Sequence, residues 1–325
     1  MKLLIAGAGM IVKDFLTMTK DLENIELVGI VGIEQDLEIM THLSETYSIE
    51  QVSTNFQSAL ETMEIDTVYV ALPNHLHCQF SKLALEAGKH VICEKPFTLK
   101  LKELEELEEL AKQRHLILVE AITTLYLKNY HLLKESIAQI GTVKLLECNY
   151  SQYSSRYNLF KEGTILPAFN PKFGGGALMD INIYNIHFVV GLYGAPDSVN
   201  YFPNIENGVD TSGILVLSYP EFKAVCIGAK DSSSQSFAKV QGTKGTVQVN
   251  GSVNFLESFS LNLLYEQEEI IDVKNHSHRM FDEFKQFICL IEEKDFDFAT
   301  KQMQESKTVI SIVEQAFEGT GITIG

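Results

Sequence analysis

The sequence predicts two domains of different class: a doubly wound parallel α/β sheet over residues 1–121, then an α+β domain with a large, mostly antiparallel open sheet over residues 122–325. Three observations carry this. The 325 residues amount to about two domains of roughly 150 residues each. Short apolar runs alternate with helical stretches as far as residue 121, the rhythm of a parallel sheet with right-handed crossovers. Beyond that point strand-like segments follow one another through tight turns, which makes neighbouring strands antiparallel.

Leu3–Ala6, Leu27–Val31, Thr67–Ala71, His90–Cys93 and Leu116–Val119 are short runs rich in Val, Ile and Leu, as strands buried on both faces are. Between them, Ser81–Ala87 and Leu99–Arg114 have helical spacing. In the second, Leu101, Leu104, Leu107 and Leu110 line one side, and Glu103, Glu105, Glu106, Glu108 and Glu109 form a solvated face. After residue 121 come a helical piece, alternating strands around Lys144–Tyr153, and a glycine-rich lead into a helix from Gly174. Several strands lie between Ser198 and Val273, punctuated by turn signals at Tyr219-Pro220 and Gly242-Thr243-Lys244-Gly245. Two amphipathic helices, around Met280–Glu293 and Gln302–Phe317, close the chain. One face of the second sheet has no helix left to cover it, which makes it the expected surface of a homodimer or homotetramer.

Composition excludes several classes of function. With 43 acidic against 26 basic residues the net charge is −17, a field that repels phosphate backbones and anionic lipid, and no basic patch offsets it; neither nucleic acid nor membrane is an expected partner. No apolar stretch reaches the roughly 18 to 20 residues of a membrane span. Lys2 and the apolar run Leu3–Val12 imitate a secretory signal, but Gly7 and Gly9 break the run and no paired-cysteine framework follows. The five cysteines, Cys78, Cys93, Cys148, Cys226 and Cys289, are scattered, with no Cys-x-x-Cys or Cys/His cluster to hold a metal. They predict reduced thiols and a cytoplasmic protein.

The chemistry is carried by four short segments. Gly7-Ala8-Gly9-Met10-Ile11-Val12 follows a strand and opens a helix. Gly7 permits the tight turn and Gly9 lets backbone approach a pyrophosphate at the helix N-terminus, although Val12 stands at the third glycine position. Some twenty residues on, Val31-Gly32-Ile33-Glu34-Gln35-Asp36 contains no Arg or Lys to receive a 2′-phosphate. Glu34 is at the spacing of a ribose-binding carboxylate, which favours NAD over NADP, and its plainer role is to start the next helix. Leu72-Pro73-Asn74-His75-Leu76-His77 and Cys93-Glu94-Lys95-Pro96 each follow a parallel strand, where ligands bind in open α/β sheets. There Lys95 can polarise a hydroxyl or carbonyl and lower the pKa of a neighbouring phenol; alternatively it is a surface lysine. Finally, Gly174-Gly175-Gly176 is expected to expose backbone N–H groups at the entry to a helix on which Asp180, Tyr184 and His187 recur at i, i+4 and i+7. Such a polar stripe needs partners, which a sugar-like substrate supplies, though Tyr184 can equally be a packing residue and His187 reads better as a core histidine.

Together, the Gly7/Gly9 turn, Pro73-Asn74-x-x-His77, Glu94-Lys95-Pro96 and Gly175-Gly176-x-Leu178-x-Asp180-x-x-x-Tyr184 resemble the Gfo/Idh/MocA family of NAD(P)-dependent oxidoreductases over nearly the whole chain. With tyrosine at 184, the sequence looks most like the branch of glucose-fructose oxidoreductase, xylose dehydrogenase and dihydrodiol dehydrogenase. The resemblance implies a Rossmann domain in which Gly7, Gly9, Met10 and Ile11 wrap the pyrophosphate of NAD or NADP. It places Pro73, Asn74 and His77 near the nicotinamide ribose and Glu94 beneath the ring. Lys95 and Tyr184 are implied as the proton-transfer pair, with Asp180 orienting the hydroxyl of a polyhydroxylated small-molecule substrate. Two departures stand out. Asn182 replaces a glycine, and Ile122-Thr123-Thr124-Leu125 replaces aromatic and basic residues expected after Glu120-Ala121.

The expected reaction is hydride exchange at a secondary alcohol, its proton taken by Tyr184 with a pKa lowered from near 10 by Lys95. A non-catalytic nucleotide sensor on the same fold is the alternative, against which Lys95, Asp180 and Tyr184 together argue. A methyltransferase is disfavoured by the Leu3-Leu4-Ile5 strand, which lacks an acid, and by Glu94-Lys95-Pro96.

Overall fold

The computed structural model describes residues 1–325 and divides into two compact units. The first contains six parallel strands: β1 (Lys2–Ala6), β2 (Glu26–Val31), β3 (Gln51–Ser53), β4 (Thr67–Val70), β5 (His90–Glu94) and β6 (Leu118–Ala121). Their order, β3-β2-β1-β4-β5-β6, reverses between β1 and β4, so the crevice beyond the carboxyl ends of those strands is the switch point where nucleotides bind. Helices α1 (Met10–Leu16), α2 (Leu37–Tyr47), α3 (Phe56–Thr62), α4 (His77–Glu86) and α5 (Leu101–Arg114) form the crossovers. Leu3, Leu4, Ile5, Val68, Tyr69, Val91 and Ile92 are fully buried, which is why these strands lack polar alternation.

Two details differ from the sequence reading. Strand β6 starts two residues later than expected because α5 runs to Arg114 and ends on a left-handed His115, leaving Leu116 in the connection. On α5 the buried stripe is Leu104, Leu107, Glu108 and Ala111, so Glu108 is not solvated; it pairs with Lys112 at 2.6 Å.

The second unit holds α6 (Lys128–Ser136), β7 (Val143–Ser151), α7 (Tyr157–Lys161), a π-helical turn (Leu178–Asn182) and α8 (Ile183–Tyr193). There follow β8 (Ser198–Glu206), β9 (Val209–Ser218), β10 (Lys223–Ala229), β11 (Phe237–Gly242), β12 (Gly245–Asn250), β13 (Phe259–Leu263) and β14 (Glu269–Ile271). The eight strands are ordered β14-β13-β12-β11-β7-β10-β9-β8, and only the β7/β10 pair is parallel. Register explains the burial. Leu215, Cys226, Cys148, Ala238, Val249 and Phe259 lie in one row across five strand pairings, all buried, on the face covered by α8 against β7 and β10. The next row, Phe202, Ile214, Ile227, Asn149 and Phe237, is on the opposite face, where Phe202 is 62% exposed.

The chain ends with α9 (Phe281–Glu293) and α10 (Phe296–Phe317). Here the expected continuous second domain, 122–325, needs correction: Glu283–Gln304 clusters with the first unit. Phe284 is fully buried, its ring 4.3 Å from that of Phe15 and 5.1 Å from that of Tyr69. Gln302 imitates a strand against the edge of β6, accepting the Glu120 N–H at 3.2 Å and donating to the Glu120 carbonyl at 2.7 Å, which satisfies backbone that an edge strand would leave open. No helix is long and apolar enough to cross a membrane.

Candidate active site

The turn after β1 is shaped for close approach. Gly7 has φ +117° and donates its N–H to the Val31 carbonyl at 2.8 Å; a Cβ there would collide with the Ala71 carbonyl, so only glycine fits. A Cβ on Gly9 would meet nothing within 4 Å. Helix α1 begins at Met10 with no side chain capping its first amides, which leaves an anion-seeking helix start open beside exposed backbone. Val12, at the third glycine position, is fully buried. Met10 and Ile33 are 75% and 60% exposed, large apolar side chains held in solvent at the sheet's carboxyl edge. Glu34 is exposed in a short turn immediately before α2 and accepts the Thr54 hydroxyl at 2.6 Å. An uncapped helix start, open space at Gly9 and exposed apolar side chains fit a dinucleotide.

Beyond β5, the Glu94–Leu99 segment is pinned from several directions. Glu94 is buried, takes the Tyr69 hydroxyl at 2.6 Å and accepts the Lys95 N–H at 3.3 Å. The Phe97 N–H donates to the Glu120 carboxylate at 3.0 Å. His77 is fully buried, with Nδ1 2.8 Å from the Pro96 carbonyl and Nε2 2.8 Å from the Leu72 carbonyl. Burial holds its imidazole below the usual range against the pull of those carbonyls; its nitrogens brace the 72–77 and 94–97 loops to each other. From Cys93 to Leu99, Lys95 alone is not buried. Pro73 is exposed and Asn74 half-buried on the short turn that precedes α4.

In the second unit, Asp180 is half-buried on the π-helical turn and Tyr184 half-buried on α8. The Tyr184 ring leans on that of Tyr150 from β7, 6.0 Å between centroids. His187 is buried. The π-helical turn widens the spacing that the sequence suggested, because residues here no longer repeat every 3.6 positions. The three glycines do not present free amides: Gly174, Gly175 and Gly176 donate to the carbonyls of Pro171, Asn170 and Ala168 at 3.0, 2.9 and 3.1 Å. Their small size is what matters. A Cβ on Gly175 would strike the Pro167 carbonyl, and one on Gly176, at φ +115°, would strike the Asp210 carboxylate.

Asp210 and Lys230 are the polar residues that the sequence reading passed over. Asp210 is fully buried and accepts the Leu178 N–H at 2.7 Å and the Tyr201 hydroxyl at 2.8 Å. Burial pushes its carboxyl up to about 6, against the lowering effect of those hydrogen bonds and of Lys230. The Lys230 ammonium, from a buried residue, contacts Asp180 Oδ2 at 2.6 Å. The available signal was a charged residue flanking an apolar strand: Val209-Asp210 at the start of β9 and Ala229-Lys230 at the end of β10. The departures have local accommodations. Asn182 donates to the Cys226 carbonyl at 3.0 Å and takes a hydrogen bond from Asn185 at 2.8 Å, with room provided because Gly228 has no Cβ. Ile122, Thr123 and Thr124 are buried, Thr124 donating to the Val253 carbonyl at 3.1 Å.

Comparison with known proteins agrees with this architecture. Residues 1–121 match the oxidoreductase family with an NAD-binding Rossmann fold, and residues 130–248 match the GFO/IDH/MocA C-terminal domain. A scyllo-inositol 2-dehydrogenase (NADP(+)) of Bacillus subtilis is 34% identical over 320 residues, covering 98% of this chain and 96% of its own. A D-xylose 1-dehydrogenase (NADP(+)) of Hypocrea jecorina is 27% identical, covering 80% and 74%. Among solved structures, a 3-ketoreductase of Actinomadura kijaniata in complex with NADP and TDP-benzene superposes with a TM-score of 0.85 at 19% identity, over 97% of this chain and 98% of that one.

Proposed function

Because this chain belongs to the Gfo/Idh/MocA family of oxidoreductases, we propose that it interconverts a secondary hydroxyl and a carbonyl on a sugar, polyol or diol, with NAD(P) as redox partner. Hydride exchange with the substrate carbon is the chemistry that a bound nicotinamide supplies. Gly7, Gly9, Met10 and Ile11 hold the pyrophosphate; Glu34 takes the adenosine ribose; Pro73, Asn74 and Glu94 line the nicotinamide end, and His77 keeps their loops in register. Lys95 and Tyr184 are the proton-transfer pair that the family resemblance implies. Tyr184 accepts the hydroxyl proton, Lys95 supplies the positive charge that stabilises the phenolate, and Asp180 orients the hydroxyl. The observation that carries this reading is the 93–99 segment, whose residues are all buried except Lys95, which is half-buried. Such fixation of a loop around one presented cation is how a catalytic group is preorganised.

The preferred cofactor is NAD. From Val31 to Ser53 there is no Arg or Lys to pair with a 2′-phosphate, and Glu34 repels one. The related dehydrogenases named for NADP therefore differ from this chain in cofactor choice. A second copy of the chain covers the open face of the eight-stranded sheet, where Phe202 and Ile214 are exposed and a flat apolar face would otherwise stay in water. Five free cysteines suit a reducing cytoplasm.

Fluorescence titration with NADH and NADPH, followed by turnover on a panel of inositols, aldopentoses, aldohexoses and a trans-dihydrodiol, tests the reading. Tighter NADH binding and turnover of at least one polyol or sugar are expected. Cofactor binding with no turnover on any member would support the sensor instead.

A further inference from the structure

Lys230 carries a charge in a place where charges are expensive. Its side chain is 3% exposed, and a buried ammonium is tolerated only when its donors are satisfied. They are met by two segments distant from Lys230 in sequence, 168–169 and the π-helical turn. Nζ lies 2.6 Å from Asp180 Oδ2 on the π-helical turn and 2.5 Å from the Ala168 carbonyl, and it sits 4.6 Å from the centroid of the Phe169 ring. That ring is stacked on Phe160 at 4.8 Å, so the cation rests against an aromatic layer that cannot easily yield. The backbone of Lys230 is pinned as well, its N–H donating to the Thr211 carbonyl at 2.8 Å and its carbonyl accepting the Ser154 N–H at 2.9 Å. The ammonium therefore has one position, and its carboxylate partner has one oxygen fixed.

An ion pair that served cohesion alone is replaceable by apolar side chains at little cost. This one is lopsided, with the lysine enclosed and the Asp180 side chain 31% exposed, which leaves the carboxylate reachable from solvent. We propose that Lys230 is a positioning residue for the reaction, holding the Asp180 carboxylate in the orientation in which it receives the substrate hydroxyl. This rests on the role given to Asp180 above.

The test compares four proteins: the parent, Lys230→Met, Asp180→Asn, and the double variant. Each is titrated with NADH to check that the first unit is intact and then assayed with the best polyol or sugar from the panel. Displacing a positioned group by about 1 Å costs on the order of a hundredfold in rate, so Lys230→Met and Asp180→Asn should each lower kcat/KM by about that factor. Because Lys230 acts through Asp180, the double variant should match Asp180→Asn within about twofold. Independent, multiplying losses in the double variant, or a Lys230→Met enzyme within about twofold of the parent, overturn the proposal. Full activity in Asp180→Asn instead overturns the role of Asp180 itself, and the proposal with it. Should Lys230→Met leave its carboxylate partner stranded and fail to fold, the double variant, which strands neither charge, is compared with Asp180→Asn alone: equal turnover supports the proposal and a further tenfold loss contradicts it.

Discussion

Replacing Asp210 by Asn should change how stability depends on pH in a direction opposite to that of most aspartates. The carboxyl is pushed by burial from 3.8 to about 6, so the folded chain holds its proton more tightly than the unfolded chain does. Stability from this group is therefore fully present below about pH 4 and declines as pH rises to about 6, after which nothing more is lost. Over that span of about 2 pH units, at about 1.4 kcal/mol each, the decline is about 3 kcal/mol. Asn keeps an acceptor for the Leu178 N–H and the Tyr201 hydroxyl and carries no charge to desolvate. Scanning calorimetry on both proteins from pH 4 to pH 7.5 reads the difference in Tm. At about 2–4 °C per kcal/mol for a unit of this size, the Asn variant should gain about 6–12 °C on the parent across the range. A difference that stays flat, or a variant that loses ground as pH rises, would refute the argument that Asp210 is buried at a net cost.

Three further outcomes follow from the geometry. Gly7→Ala meets both a φ of +117° and the Ala71 carbonyl; NADH affinity by fluorescence titration should fall at least about tenfold, since strain of about 1–3 kcal/mol is placed in the turn itself. Phe284→Ala removes a fully buried ring packed on Phe15 and Tyr69 and should destabilise the first unit by about 3–5 kcal/mol in a denaturant series; a cost under about 1 kcal/mol would mean that α9 is not part of that core. Glu34→Ala removes the acid that accepts the Thr54 hydroxyl and should narrow the NADH/NADPH affinity ratio by about tenfold or more, the worth of one charge contact at close range.

What could be read from sequence follows from how each element buries its residues. Strands β1, β2, β4 and β5 lie within a residue or so of the runs that announced them, because a strand covered on both faces must be apolar throughout. Strand β3, Gln51–Ser53, is a three-residue edge with no fully buried side chain, so it has no such run. The Gly7/Gly9 turn was legible because its glycines answer to backbone sterics that depend on local sequence alone. The second glycine cluster was found but misread: its amides are spent on Pro171, Asn170 and Ala168, and its compactness serves Asp210, thirty-odd residues away. Lys230 and Asp210 gave no periodic signal at all, since their meaning lies in long-range pairing, with Asp180 and with the Leu178 amide. The return of Glu283–Gln304 to the first unit was hidden for the same reason: an amphipathic helix announces an apolar face and not the core that receives it.

Lys95→Ala removes the cation proposed to drive proton transfer. Single-turnover and steady-state rates should fall by about two to four orders of magnitude, with NADH affinity kept within a few-fold because the Gly7/Gly9 turn and the uncapped start of α1 are untouched. Unchanged turnover of the best panel substrate in that variant would contradict the account.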